Sequence, residues 1–217
     1  MTTVANVENP TAESGPVNAG LTGAVAADAG ADASEPAVVV RQVGPDDWRE
    51  WRTVRLAALE EAPWAFGSTL AQARTFGEAE WRRRLRDFPC YLADLPGTAS
   101  PVGMSGAFIE HPEPGEFDES GESNEAGTGQ GGATVELVSM WVSPAVRGRG
   151  VGAHLVAAAV DWATSTGAAR VHLWVTDGND PARRLYERCG FVSTGERAPL
   201  PSDPSLSEIG MVRELRA

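Results

Sequence analysis

Residues Arg147 to Ala153, RGRGVGA, have the composition of a phosphate cradle. They follow an apolar run of β type, Val135 to Val142 (VELVSMWV), closed by Ser143 and Pro144. They precede a small-residue run, HLVAAAVDWATSTG, that reads as a helix ending near Gly167. Glycine lets the backbone come close to an oxyanion. The unpaired N–H groups that open the following helix point at that anion, and the helix dipole favours its charge. Arg147 and Arg149 can add charge-assisted hydrogen bonds. The chemistry implied is binding of a phosphorylated cofactor.

Three kinds of loop share this spacing. A P-loop requires Gly-Lys-Ser/Thr, and the chain contains no lysine. The dinucleotide fingerprint G-x-G-x-x-G/A is met by Gly148, Gly150 and Ala153, and a second strand, Val171 to Thr176, ends beside Asp177. That reading makes the protein an NAD- or NADP-dependent oxidoreductase. The third pattern, R/Q-x-x-G-x-G/A, belongs to the pyrophosphate loop of acetyl-coenzyme A enzymes and is met by Arg147, Gly150 and Gly152.

Downstream, Asn179, Ala182, Tyr186, Gly190 and Phe191 fill N-x-x-A-x-x-x-Y-x-x-x-G-F. Physically this is a short helix capped by Asn179 or Asp180, with Pro181 in its first turn and Gly190 ending it in a left-handed conformation. Ala182, Leu185, Tyr186 and Cys189 share one face. With both signatures in register, the chain resembles the GNAT superfamily of N-acetyltransferases. The likeness covers about 37 to 217; it is specific between 135 and 191 and topological before that.

The resemblance implies an α/β (α+β) GNAT fold: a central mixed, mostly antiparallel sheet of about six to seven strands flanked by about four helices. It implies transfer of acetyl from acetyl-CoA to a primary amine by direct attack in a ternary complex, without a metal. Cofactor contacts then fall on backbone groups of Met140 and Val142, on Arg147, Gly148, Arg149, Gly150, Val151, Gly152 and Ala153, and on Asn179 and Ala182. Tyr186 sits where many members carry a general acid, although its ring could equally pack against cofactor or core. A phenol titrates near 10 and a thiol near 8.5, so a tyrosine can protonate a leaving thiolate. Glu136 is the carboxylate best placed to take the amine's proton; facing solvent or pairing with an arginine is the other reading. Trp64 and Phe66, in the connection PWAFGST, are candidates for touching the acceptor. A non-catalytic acyl-CoA sensor remains the alternative to an enzyme.

The remaining elements read as follows. Val38 to Val43 is a first strand stopped by Gly44-Pro45. Asp46 or Asp47 caps a helix with Trp48, Trp51, Val54, Leu56 and Leu59 along one stripe, ended by Pro63. Glu78 to Asp87 is a second helix with Trp81 and Leu85 inward and Arg82, Arg83 and Arg84 on a solvated face. Cys90 to Leu95 and Val102 to Glu110 form a hairpin. Strands near Phe191 to Thr194 and Glu208 to Leu215 close the domain. His154 and His172 have no partner at ligand spacing and read as structural.

The net charge of −12 is concentrated in two stretches. Residues 1–36 carry Glu8, Glu13, Asp28, Asp32 and Glu35 without a base, and residues 111–133 carry Glu113, Glu116, Asp118, Glu119, Glu122 and Glu125, again without a base. Setting these 5 + 6 acids aside leaves 19 of 30 against 18 arginines, a nearly neutral body. Both stretches are poor in large apolar residues and are expected to be disordered, the first as a tail, the second as an insertion in an acetyltransferase domain spanning 37–217. No secretory signal or membrane span is expected. The two cysteines, Cys90 and Cys189, fit a reducing cytoplasm and no disulfide framework. A small-molecule or peptide amine acceptor is expected, with no nucleic acid or membrane partner, in a monomer or homodimer.

Overall fold

The computed structural model describes residues 37–110 and 132–215. The expectations of disorder in the N-terminal tail and the acidic insertion fall on 1–36 and 111–131, outside the described residues. Strands β1 (Val39–Val43), β2 (Cys90–Asp94), β3 (Gly103–Ile109), β4 (Thr134–Val142), β5 (Arg170–Thr176), β6 (Val192–Leu200) and β7 (Asp203–Glu214) make one seven-stranded sheet in the order β1-β2-β3-β4-β5-β7-β6. Five helices accompany it among the described residues: α1 (Trp48–Glu61), α2 (Leu70–Thr75), α3 (Glu78–Asp87), α4 (Val151–Ser165) and α5 (Asp180–Arg188).

Every neighbouring pair of strands is antiparallel except β4 and β5. A parallel pair cannot be closed by a hairpin and needs a crossover, which α4 supplies. One parallel pair in seven strands also removes the dinucleotide reading of Gly148, Gly150 and Ala153. A doubly wound sheet needs several parallel units, and here β5 is flanked on its far side by antiparallel β7.

The sheet is covered on both faces. Val135, Leu137, Val171, Leu173, Val175 and Met211 pack under α4 and α5. Val43, Leu92 and Met104 pack under α1 and α3, with Trp51, Val54, Ala58, Leu59, Trp81 and Leu85 facing them. These helix positions follow the apolar stripes of the sequence. Asp47 does not cap α1 through its side chain: that carboxylate turns back to accept from the Gly44 N–H at 2.8 Å. The short α2 lies in a stretch the sequence reading left as connection. Its start is a reciprocal box, Thr69 Oγ1 accepting from the Gln72 N–H at 3.2 Å and Gln72 Oε1 accepting from the Thr69 N–H at 2.9 Å. The final hairpin is longer than expected, because Pro199 and Pro201 resemble loop signals; Pro199 sits on the outermost strand β6, where a missing donor is tolerated. No described helix is long and apolar enough to cross a membrane.

Gly103 of β3 lies directly beneath α4. A Cβ there would stand 2.9 Å from Leu155 Cδ1, 3.2 Å from Val151 Cγ1 and 3.0 Å from the Trp141 carbonyl oxygen, which cannot swing aside. Gly103→Ala is therefore expected to cost about 1–3 kcal/mol. A urea titration should show a lower midpoint at unchanged slope; an unmoved midpoint would mean that β4 and α4 yield freely at this point.

Candidate active site

The site begins where β4 and β5 separate. Their ladder consists of Thr134, Val135 and Glu136 opposite Arg170, Val171 and His172, after which β4 runs on to Val142 and β5 to Thr176 without a further rung. On its other side β4 stays paired with β3, with one irregularity: Gly106 faces Val138 and Met104 faces Trp141, so β4 carries one extra residue. Ser139, within that bulge, has a left-handed φ of 57°. A bulge bends and twists its strand, here turning β4 away from β5. No sequence signal marked Ser139, since serine has no special tolerance for this conformation.

Past the bulge, the Ser143 N–H bonds to the Val102 carbonyl at 2.8 Å and Trp141 lies opposite Met104. The alternation of an antiparallel ladder then turns the N–H and C=O of Val142 the other way, into the gap. The Val142 carbonyl there accepts from Arg147 Nε at 3.0 Å. Met140 sends its side chain toward the start of α4, where Cε would lie 3.5 Å from a Cβ on Gly152.

The loop closes one end of the gap. Gly148 (φ 82°) and Gly150 (φ 79°) both occupy the left-handed region. Gly150 is the N-cap of α4 and, having no side chain, offers no capping oxygen to the first turn. Gly152 is needed for closeness: an added Cβ would meet Leu185 Cδ2 at 2.8 Å, so α4 and α5 touch there. Val151 is buried, whereas Gly148, Arg149, Gly150 and Ala153 are exposed. Arg147, itself exposed, reaches across to α1. Its Nη2 pairs with Glu61 Oε2 of α1 at 2.7 Å, and the same oxygen accepts from Trp141 Nε1 at 3.0 Å. Glu61 was invisible to sequence reasoning because it lies 86 residues from its arginine. Partial burial pushes its carboxyl up, but the hydrogen bonds from Trp141 and Arg147 prevail and hold it below the usual carboxylate range. His154, exposed on the first turn, places Nδ1 3.0 Å from the Gly150 carbonyl.

Helix α5 is built as its motif requires. The Asn179 side chain accepts from the Ala182 N–H at 3.4 Å, and Gly190 terminates the helix at φ 86°. Tyr186 is buried, its ring tilted against Phe191 at 5.9 Å between centroids, with Ala182, Cys189 and Met140 packed against the same cluster. Burial, with the Cys189 thiol adding to it, pushes the Tyr186 phenol well above its ordinary value. The phenol stays protonated at any working pH. Burial also raises the Cys90 thiol to about 12, which leaves it a poor nucleophile.

The opposite sheet face carries the acids. Glu136 pairs across to His172 in β5, and Glu110 joins them; one ligand atom from each lies within 4.8 Å of the others. The sequence reading gave His172 no such partners, because Glu110 and Glu136 come from two other strand ends. These three are the described residues best disposed to hold a cation. Burial first, then repulsion and a hydrogen bond with Glu110, then Glu208, raise Glu136 to about 7. Burial lowers His172, and both its ring nitrogens are closed from solvent without a hydrogen-bond partner.

The connection after α1 borders this face. Trp64 is 46 % exposed, as a residue touching an acceptor must be. Phe66 is only 6 % exposed; it packs in the core and presents its ring to the Arg55 guanidinium at 4.5 Å. The connection is tied to the far strands: Thr176 Oγ1 donates to the Trp64 carbonyl at 3.0 Å and Ser202 Oγ to the Phe66 carbonyl at 2.6 Å. Three arginines of α3 are engaged, Arg82 with Glu78 and Asp46, Arg83 with Glu80 and Asp87, Arg84 with Glu80.

A strand parting after three rungs, a glycine loop and an uncapped helix start form one constellation, and the model of the acetyltransferase (GNAT) family matches residues 51–191. The chain belongs to that family. It is 39 % identical to the mycothiol acetyltransferase of Beutenbergia cavernae over 66 residues, 30 % of this chain but only 22 % of that protein. It thus spans less than a quarter of that relative's length. In fold it is similar to a GNAT acetyltransferase of Streptococcus pneumoniae (TM-score 0.61, 19 % identity, 82 % of this chain and 100 % of that one). It is also similar to Arabidopsis thaliana NAA60 in complex with acetyl-CoA (TM-score 0.58, 17 % identity, 83 % and 100 %).

The loop's dependence on left-handed glycine can be measured. A Cβ on Gly150 has room, its nearest neighbour being the His154 ring at 3.8 Å, so Gly150→Ala carries conformational strain alone. It should lose about 1–2 kcal/mol of stability and turn the first amides of α4. Calorimetry is expected to show acetyl-CoA binding at least tenfold weaker than in the parent. Unaltered binding would place the cosubstrate elsewhere.

Proposed function

We propose that this protein is an N-acetyltransferase that moves acetyl from acetyl-CoA to a primary amine by direct attack in a ternary complex. The observation that carries the reading is the gap opened where β4 leaves β5 after Glu136, bordered by the start of α4. Backbone groups of Met140 and Val142 hold the pantetheine arm, and the Val142 N–H polarises the thioester carbonyl. Amides from Gly148 to Ala153, with Arg147 and Arg149, hold the diphosphate. Asn179 and Ala182 line the other side. Arg147 then exchanges its bond to the Val142 carbonyl for the cosubstrate while Glu61 keeps it nearby.

The chemistry needs two proton transfers. An amine with a pKa of about 10.4 is mostly protonated at neutral pH, so Glu136 takes that proton, directly or through water. Tyr186 supplies a hydrogen bond or proton to the departing sulfur. Attack makes the C–N bond, breaks C–S, and leaves an amide and free coenzyme A. A non-catalytic acyl-CoA sensor would share the loop and be indifferent to both side chains.

A panel of amines assayed with acetyl-CoA for release of free thiol tests the activity. Tyr186→Phe should lower turnover at least tenfold on whichever amine reacts, with acetyl-CoA affinity within twofold. Parental turnover in that variant would remove the tyrosine from the chemistry, and silence across the panel would favour the sensor.

The acidity of Glu136 supplies a second signature. A base protonated below about 7 makes kcat/KM fall roughly tenfold per pH unit beneath that point. Stability follows the opposite sign. The folded carboxyl titrates above its ordinary 4.5, so between 4.5 and about 7 the native state holds a proton that the unfolded chain releases. Raising pH through that window therefore lowers stability. In Glu136→Gln both the acid limb of the rate profile and this loss of melting temperature should vanish; a rate profile unchanged in the variant would assign the base elsewhere.

A further inference from the structure

We propose that Arg55 is an anion anchor in the acceptor site and that the acceptor is a small amine of amino-acid type, carrying a carboxylate. This rests on the acetyltransferase reading above. Arg55 belongs to α1, on the wall that borders the acid-bearing face. Its Nη2 donates to Ser68 Oγ at 2.7 Å and its guanidinium lies over the Phe66 ring. The residue as a whole is half-buried, but Nη1 is closed from solvent and has no hydrogen-bond partner. Among the described residues no carboxylate pairs with it. Arg84, already bound to Glu80, only repels it.

An unpaired buried guanidinium is costly unless a partner arrives. Burial lowers its pKa to about 10, which still leaves it charged at neutral pH. Arg82, Arg83 and Arg84 of α3 have each found a carboxylate, and Arg170, whose Nε is also closed from solvent, has Glu214 at 3.9 Å; Arg55 combines a closed nitrogen with no carboxylate beside it.

The register says how far this charge stands from the reacting end. Arg55 lies over Phe66, which packs in the same cluster as Cys90. Cys90 lies opposite Gly106, and Gly106 opposite Val138. The next row on the same sheet face is Phe108, Glu136 and His172. Successive rows on one face are about 6.6–6.8 Å apart. Cys90 also lies two strands from Glu136, about 9–10 Å across the sheet, so the long Arg55 side chain and the acceptor's own chain together bridge the separation. The set Glu110, Glu136 and Glu208 receives the ammonium end, and Arg55 the carboxylate end. Two opposite charge sites on one face, with no ion pair joining them among the described residues, match a zwitterion. During transfer the carboxylate is unchanged: nitrogen displaces sulfur at the acetyl carbon, the amine proton passes to Glu136, and the thiolate is protonated.

The test compares α-, β- and γ-amino acids with their own amides, at saturating acetyl-CoA. For the best acceptor, the acid should exceed its amide in kcat/KM by at least thirtyfold. Arg55→Met should collapse that ratio toward one, chiefly through the KM of the acid, and Arg55→Lys should restore part of it. Equal use of acid and amide by the parent, or an equal loss on both in Arg55→Met, overturns the anchor while leaving acetyl transfer intact. A second readout does not depend on turnover: the N-acetylated acid, but not its amide, should raise the parent's melting temperature, and Arg55→Lys should shrink that rise. If no amine releases thiol, the activity fails, and the anchor then stands or falls on this melting difference.

Discussion

After Glu136 the ladder between β4 and β5 stops inside the sheet, and the site is arranged around the backbone groups this leaves unmet. A backbone donor or acceptor without a partner costs about 1–3 kcal/mol when buried, so an interior gap persists only where something else satisfies it. The bulge at Ser139 keeps β4 bonded to β3 while freeing its other edge. The crossover demanded by the one parallel pair brings α4 back beside the same strand, with its unpaired amides at the mouth of the gap. The Arg147 side chain takes up one of the freed carbonyls. Fold and site follow from a single interruption.

What could be read from the sequence was what the chain dictates locally. Gly148, Gly150 and Gly190 were legible because each left-handed position needs glycine or a close substitute, and Asn179 because a cap bonds within three residues. The sheet order followed from one crossover and several hairpins. The misses have different causes. Thr69 and Gln72 spelled out a capping box that went unread in a short segment. Ser139 carried no mark of its strain, and Pro199 disguised an edge strand as loop. Glu61, Glu110 and Arg55 matter only through partners in distant segments, so nothing in their own neighbourhood distinguished them. The burial of Phe66 against an arginine and the core depends on segments distant in the chain, so the connection's sequence did not reveal it.

Charge is distributed unevenly between surface and site. Arg82, Arg83 and Arg84 of α3 and Arg41, Arg183 and Arg197 are paired with carboxylates at solvent-accessible positions, where each pair contributes little. Glu136 and Arg55, both shifted first of all by burial, have no opposite charge beside them. Evenly optimised stability would have joined or removed them. Both stand unneutralised on one face, against a nearly neutral body, and it is this pairing of unmet charges on which the proposed selectivity rests.

The two protonation shifts also constrain how the reaction described above can run. A carboxylate at about 7 facing an amine near 10.4 accepts its proton uphill by about 4–5 kcal/mol. That is a modest share of an acyl-transfer barrier, and a carboxylate at its ordinary 4.5 would face roughly 3 kcal/mol more. Burial, with repulsion from Glu110 added to it, therefore makes Glu136 a better base by making it a less comfortable anion. Burial acts on Tyr186 in the opposite functional sense. A phenol lifted well above a thiol near 8.5 does not surrender its proton outright to the leaving sulfur. It holds that proton in place as a fixed donor, stabilising negative charge as it develops on sulfur, and the thiolate can collect a proton from water once released. Base and donor are thus set by the same agent, exclusion of water from the gap, which makes one group readier to accept a proton and the other slower to part with its own.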